Sequence, residues 1–313
     1  MDVRFWGVRG SIPTPLTAQQ VMTKIEAVVQ RISPNDLSSL DARQRFLASL
    51  PASIYGTVGG NSACVEMKDS KDNVFLLDAG SGIREFSKKG EQPANKTYHI
   101  FLSHYHWDHI QGLPFFDSAY HKDCNLIIYS ASPDAEEILS KQMDFPYFPI
   151  QYEDGFKSNI TFKCIPEDEP FTVGNCRITA KKMSHPGSSY SYSFEENGRK
   201  LIYATDVELS EKELLNTDSN VNFFSNADSI IIDTQYTVEE AFNKKNWGHS
   251  DFSYAIDFAK HWNMKNIYLF HHEPTYDDKK LFSILQSAQW YSQYVLNTDI
   301  KIYLAQEGHS FNV

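Results

Sequence analysis

The chain has 313 residues, 41% of them hydrophobic and 22% charged, with a formal net charge of −11. That balance fits a globular core and excludes an extended basic footprint for nucleic acid. No run of 18 or more apolar residues occurs, so no membrane span is expected, and the opening MDVRFWGVRGSIPTP has no apolar signal core. Cys64, Cys124, Cys164 and Cys176 form no C-x-x-C pair and read as buried thiols of a protein in a reducing cytoplasm.

DVRFWGV (2–8) reads as a first strand. Helical periodicity then covers 16–50, with Val21, Ile25, Val28, Val29 and Ile32 on one face. SPND (33–36) offers a Ser cap, a first-turn Pro and an Asp three residues after the cap, the start of a second helix lined by Leu37, Leu40, Leu47 and Leu50. The segment reads as an insertion that packs through Val21, Ile25, Val28, Leu40 and Leu47, as a lid, a dimer contact or an extra surface layer. Strands follow at 64–67, 73–80, 97–103 and 125–130, then the helix SPDAEEILSKQM, then strands at 160–164, 176–183, 190–195 and 199–204. SIIIDTQ (229–235), a helix over 250–262, the strand NIYLF (266–270), a helix over 277–294 and a last strand in DIKIYLA complete the chain. The β-α-β pattern without a linker predicts an α/β fold of stacked sheets covered by helices, one domain over 1–313.

SHYHWDHIQG (103–112) places His104, His106, Asp108 and His109 within six positions, although the whole chain has only 11 histidines. Neutral imidazole and carboxylate are the ligands borderline divalent metals prefer, and four such groups would be costly to bury unpaired. The cluster therefore reads as a metal site at the end of the 97–103 strand.

H-x-H-x-D-H resembles the signature of the metallo-β-lactamase-fold hydrolases, whose fold is an αββα four-layer sandwich. LLDAGSG (76–82), SHPG (184–187), LIYATD (201–206) and IYLFHHEP (267–274) extend the resemblance along most of the chain. Their order is similar to the branch that contains tRNase Z and cyclic-nucleotide phosphodiesterase-like proteins. The resemblance implies two divalent ions, zinc first, with manganese or iron as alternatives. His104, His106 and His185 would hold one; Asp108, His109 and either His271 or His272, with His271 favoured, would hold the other. Asp206 would bridge them, a shared water of lowered pKa would be the nucleophile, and Asp108 counts with the catalytic groups. Asp78 reads as a group orienting a ligand histidine or as a turn cap.

NWGHSDFSYAIDFAKHW (246–262) resembles the segment of that branch in which Gly-His-Ser/Thr opens a helix. Ser250 is the expected cap, and His249 at the helix start would bind phosphate or protonate the departing oxygen. The branch supports this histidine with a carboxylate; IIDTQYT (231–237) offers Gln235, with Asp233 two residues earlier, which leaves the partner open. Glu239 and Glu240 lie in TVEE, a capping box that accounts for Glu240. Gly59 and Gly60 serve either a close ligand approach or a tight turn. LPFFDSAY (113–120) and FPYFPI (145–150) are aromatic where tRNase Z carries a Gly- and basic-rich arm. These readings favour a phosphodiesterase acting by a metal-bound hydroxide on a small phosphodiester such as a cyclic nucleotide. RNA 3′-end cleavage is the second reading, with nucleic acid a disfavoured partner, and a metal-binding sensing module without catalysis is the third. A homodimer is the possible partner arrangement.

Overall fold

Runs of branched and aromatic residues uninterrupted by Pro form strands that pair into two seven-stranded sheets. The computed structural model describes residues 1–313. The first sheet contains β1 (Asp2–Gly7), β2 (Cys64–Lys68), β3 (Val74–Leu77), β4 (Thr97–Phe101), β5 (Asn125–Ser130) and β6 (Asn159–Cys164). The second contains β7 (Phe171–Val173), β8 (Cys176–Met183), β9 (Ser189–Glu196), β10 (Arg199–Ala204), β11 (Ser229–Asp233), β12 (Asn266–Phe270) and β13 (Lys301–Leu304). A final strand, β14 (Ser310–Asn312), returns to the first sheet beside β1, giving the order β14-β1-β2-β3-β4-β5-β6 against β13-β12-β11-β10-β9-β8-β7.

The sheets share one construction. β3 to β6 run parallel, as do β10 to β13, and the remaining pairs are antiparallel. Parallel neighbours end at the same edge, so the turns after β3, β4, β10, β11 and β12 are available to one site. A large apolar core fills the gap between the sheets, including Phe5, Phe75, Phe101, Phe194, Tyr203, Ile231 and Phe270. A second core under the outer face of the first sheet takes Trp6, Ile83, Phe86 and Phe116. The helices Gly82–Lys89 on one side and Phe252–His261 with Asp278–Trp290 on the other complete the expected α/β/β/α layering.

Several local expectations are corrected. SPND folds into a 3₁₀ turn, Pro34–Leu37, with the Ser33–Asp36 capping box in place, and the second helix starts later, at Leu40, capped by Ser39. The apolar stripe of the first helix, Ala18–Val29, docks only at its edge: Val28 is half-buried, but Val21, Ile25 and Val29 are 42%, 58% and 65% exposed, and Leu40 and Leu47 of the next helix are exposed too. The first helix is instead tied down by a charge. Lys24 Nζ lies 2.8 Å from Asp278 Oδ2 and donates to the carbonyls of Ser53 and Gly56. The second helix buries Ala42 and Phe46. Cys164 is exposed, unlike the other three cysteines, because it ends the edge strand β6.

The other carboxylate oxygen of the buried Asp278 accepts the Val58 N–H at 2.9 Å, so Lys24 closes a link between insertion and body. Removing Lys24 leaves a buried carboxylate without its cation, a loss of about 3 kcal/mol for a largely buried pair. Lys24→Ala is expected to speed limited proteolysis within 16–50; an unchanged cleavage pattern would show the link to be idle.

Candidate metal centre

The site is assembled from strand ends. Asp78 follows β3, the loop after β4 carries His104 and His106, and the short helix Trp107–Ile110 carries Asp108 and His109. Asp206 lies two residues past β10, and His271 directly follows β12. Three of these residues turn the chain through the left-handed region: Asp78 at φ 62°, Asp206 at φ 50° and His271 at φ 61°. Residues other than glycine are held there only when their surroundings over-determine them.

The side chains form two adjoining sets. His104, His106, His185 and Asp206 offer atoms within 4.8 Å of one another, and so do Asp108, His109 and His271; a third group, Asp206, His249 and His271, overlaps both and meets the same limit. Asp206 joins the sets by turning a different oxygen to each. Its Oδ2 lies 3.4 Å from His104 Nε2 and 3.6 Å from His185 Nε2, while its Oδ1 lies 3.1 Å from both His109 Nε2 and His271 Nε2. Asp108 Oδ2 sits 3.2 Å from His109 Nε2 and 3.1 Å from His271 Nε2, and it accepts the Ser11 N–H at 2.7 Å.

These contacts fit cations better than hydrogen bonds. His109 Nε2 faces His271 Nε2 at 3.2 Å, and His185 Nε2 faces His106 Nδ1 at 3.1 Å. His104 Nε2 is buried and has no hydrogen-bond partner, an arrangement that is costly unless a cation takes the lone pair. Neutral nitrogen and carboxylate oxygen match zinc or a neighbouring transition metal.

Four of the five imidazoles, all but His106, are aimed by the other nitrogen. His109 Nδ1 lies 2.8 Å from Asp78 Oδ2, and Asp78 also accepts from Ser103 N–H, Ser103 Oγ and Tyr203 OH at 2.7–2.8 Å. His185 Nδ1 donates to the Gly248 carbonyl at 2.8 Å, His271 Nδ1 contacts Gln235 Oε1 at 3.1 Å, and Ser103 Oγ lies 3.0 Å from His104 Nδ1. A Cβ on Gly248 would come within 2.2 Å of His185 Nδ1, so only glycine permits that contact. Burial disfavours the Asp206 carboxylate, but the imidazoles of His109, His271 and His104 outweigh it and hold the carboxyl well below its usual range. Burial likewise opposes charge on His109, and Asp206, Asp108 and Asp78 together raise it well above an ordinary histidine.

His249 lies beside both sets. Its ring stacks on His271 at 5.1 Å and meets His185 edge-on at 5.3 Å. The partner left open in the sequence is Asp233, whose Oδ2 is 2.6 Å from His249 Nδ1. Burial works against a charged ring there, but Asp233, with Asp206 and Asp108 behind it, moves His249 up to about 9. Gln235 serves His271 and is itself oriented by Glu273 Oε2 at 2.9 Å and Ser11 Oγ at 3.2 Å.

Two further expectations change. His272 points away from the cluster: its Nε2 donates to the Ala305 carbonyl at 2.9 Å, and burial with nearby Arg9 pushes its pKa down to about 3. Ser250 does not cap its helix. Its hydroxyl is committed to Val207 O and Leu209 N, and Asp251 accepts from Ser253 N and Tyr254 N instead. Glu240 does complete the capping box with Thr237. Gly59 turns against the Glu307 side chain. Phe116 is core, while Phe115 and Phe145 are exposed. Ser11, Tyr203 and Glu273 were not singled out in the sequence; the φ of 61° at Ser11 is the backbone signature of its role, and no local motif announces it.

Residues 73–272 match the family described as the beta-lactamase superfamily domain. Ribonuclease Z of Picrophilus torridus is 24% identical over 298 residues, spanning 77% of this chain and 87% of that protein. The crystal structure of the metallo-beta-lactamase fold protein YhfI from Bacillus subtilis superposes with a TM-score of 0.66 at 17% identity, covering 99% of this chain and 98% of that one. The short form of human tRNase Z superposes with a TM-score of 0.62 at 16% identity, covering 100% and 99%.

If both sets hold metal, protein purified without chelator is expected to carry about two equivalents of divalent ion. Asp206→Ala is expected to lose most of that metal while the sheets persist by circular dichroism. Full occupancy in the variant would remove Asp206 from the site.

Proposed function

The chain belongs to the beta-lactamase superfamily domain family, and from that premise we propose that it is a dinuclear metal-dependent phosphodiesterase acting on a small phosphodiester. His104, His106 and His185 would hold one ion, Asp108, His109 and His271 the other, with Asp206 between them and zinc the best match to the donors. Two divalent ions bound there supply a water of lowered pKa and offset the charge that develops on a phosphoryl group. The observation that carries this reading is the division of the Asp206 oxygens between the two sets, at 3.4–3.6 Å on one side and 3.1 Å on the other.

The surrounding residues supply position and protons. Asp233 fixes His249 Nδ1, which leaves Nε2 to hold a proton for the departing oxygen. Ser11 N–H fixes Asp108, and Asp78, Gly248 and Gln235 keep three imidazoles turned inward. A small substrate is supported by the net charge of −11 and by an aromatic, non-basic segment at 113–120. Cleavage of RNA at a 3′ end is the second reading, favoured by the likeness to ribonuclease Z of Picrophilus torridus. No helix is long and apolar enough to cross a membrane. We assign residues 1–313 to one domain, with 16–50 inserted in it.

The test runs metal-loaded protein on bis-p-nitrophenyl phosphate, cyclic nucleotides and a tRNA precursor. Hydrolysis of the small esters supports the proposal; cleavage confined to the precursor supports the second reading, and no turnover of any of them contradicts both. His249→Ala is expected to lower kcat by about 10²–10⁴-fold while metal content holds. Parallel loss of metal and activity would make His249 a ligand.

A further inference from the structure

Gln235 turns His271 towards the cluster, and its amide can do so in only one of two orientations. The oxygen Oε1 lies 3.1 Å from His271 Nδ1, and the nitrogen Nε2 donates to Glu273 Oε2 at 2.9 Å and to Ser11 Oγ at 3.2 Å. An amide turned over would offer an N–H to His271 Nδ1 instead. The ring would then carry its proton on Nε2, the nitrogen that faces Asp108 Oδ2 and Asp206 Oδ1 at 3.1 Å each. A protonated Nε2 has no lone pair for a cation.

The choice is made at Glu273. The Ser11 hydroxyl can donate or accept, so it favours neither orientation. A carboxylate only accepts, so it takes the amide nitrogen of Gln235 and sends the oxygen to His271. Nδ1 is then the donor, and Nε2 keeps its lone pair. Glu273 is itself buried and fixed. Its Oε1 accepts the Thr275 hydroxyl at 3.1 Å, Arg9 Nη1 donates to its carbonyl at 3.3 Å, and Lys244 Nζ stands 3.9 Å from Oε2. The other set needs no such arbiter. His185 Nδ1 donates to the backbone carbonyl of Gly248, which only accepts, so that tautomer does not depend on Glu273.

We propose that Glu273 is a positioning residue: acting through Gln235 it fixes the tautomer of His271, and so sets how tightly the Asp108–His109–His271 position holds its ion. The proposal rests on the two-metal part of the proposed function and is independent of the substrate.

The test measures zinc binding to the apoprotein by competition with a chromophoric chelator, with no turnover involved. The wild type is expected to take two equivalents. Glu273→Gln keeps the size of the side chain but lets the Gln235 amide turn over. One equivalent is expected to weaken by about 10–100-fold while the other holds. The His185→Ala background, which lacks a ligand of the other position, shows which one it is: the equivalent that remains is expected to weaken by the same factor when Glu273→Gln is added. The exchanged pair Gln235→Glu/Glu273→Gln puts a carboxylate against His271 Nδ1 with an amide behind it. It is expected to bind both equivalents at least as tightly as the wild type, a rescue that a mere packing role for Glu273 would not give. Unchanged affinity in Glu273→Gln, equal weakening of both equivalents, a drop that disappears in the His185→Ala background, or an exchanged pair no tighter than the single variant overturns the proposal and leaves the two-metal reading intact. Wild-type protein that takes up no zinc contradicts the two-metal reading itself, and the proposal with it.

Discussion

Asp206 is the constraint on which the structure around the site depends. Its carboxylate is buried with four imidazoles within 3.6 Å, and no lysine or arginine pairs with it. Such a charge is tolerable only where cationic partners surround it. To reach it, the histidines must arrive from strands of both sheets, so the sheets must pack face to face with their parallel portions ending at one edge. Left-handed backbone at Asp78, Asp206 and His271 costs roughly 1–3 kcal/mol each, and the large core between the sheets offsets that strain. The polar site is held together by apolar packing that reaches it through Tyr203, a core residue whose hydroxyl donates to Asp78.

The orienting groups differ in charge, and that difference sorts the imidazoles. His109 rests on the carboxylate of Asp78, whereas His271 rests on the neutral amide of Gln235. A carboxylate makes the ring it supports a stronger donor than an amide does. His249 has a carboxylate partner too, Asp233, and stands at the side of the cluster beside His271 and His185. The same pairing that would sharpen a ligand there keeps a proton on the ring.

The positions of His104, His106, Asp108, His109, His185 and Asp206 were legible because their chemistry is concentrated and their order repeats after strand-like runs. The choice between His271 and His272 was not, since adjacent residues are separated only by the left-handed turn at His271. Asp233 was in view beside Gln235, but the choice between them as the partner of His249 was not legible, because the pairing depends on the loop before His249, held by Glu208. Ser250 and Asp251 are both good caps, and tertiary bonds to Val207 and Leu209 decided between them. The insertion shows the limit of periodicity: an apolar stripe states that a helix is amphipathic, not which side docks, and Lys24 reversed the outcome. β7 and β14 span three residues each, too few for an alternating pattern to register.

The central claim is that one carboxylate joins two metal positions, and anomalous X-ray scattering from crystals of zinc-loaded protein tests it most directly. The expected result is two peaks about 3.5–4 Å apart, one beside His104, His106 and His185, the other beside Asp108, His109 and His271, with the Asp206 carboxylate between them. A single peak, or two peaks of which neither contacts Asp206, would contradict the account.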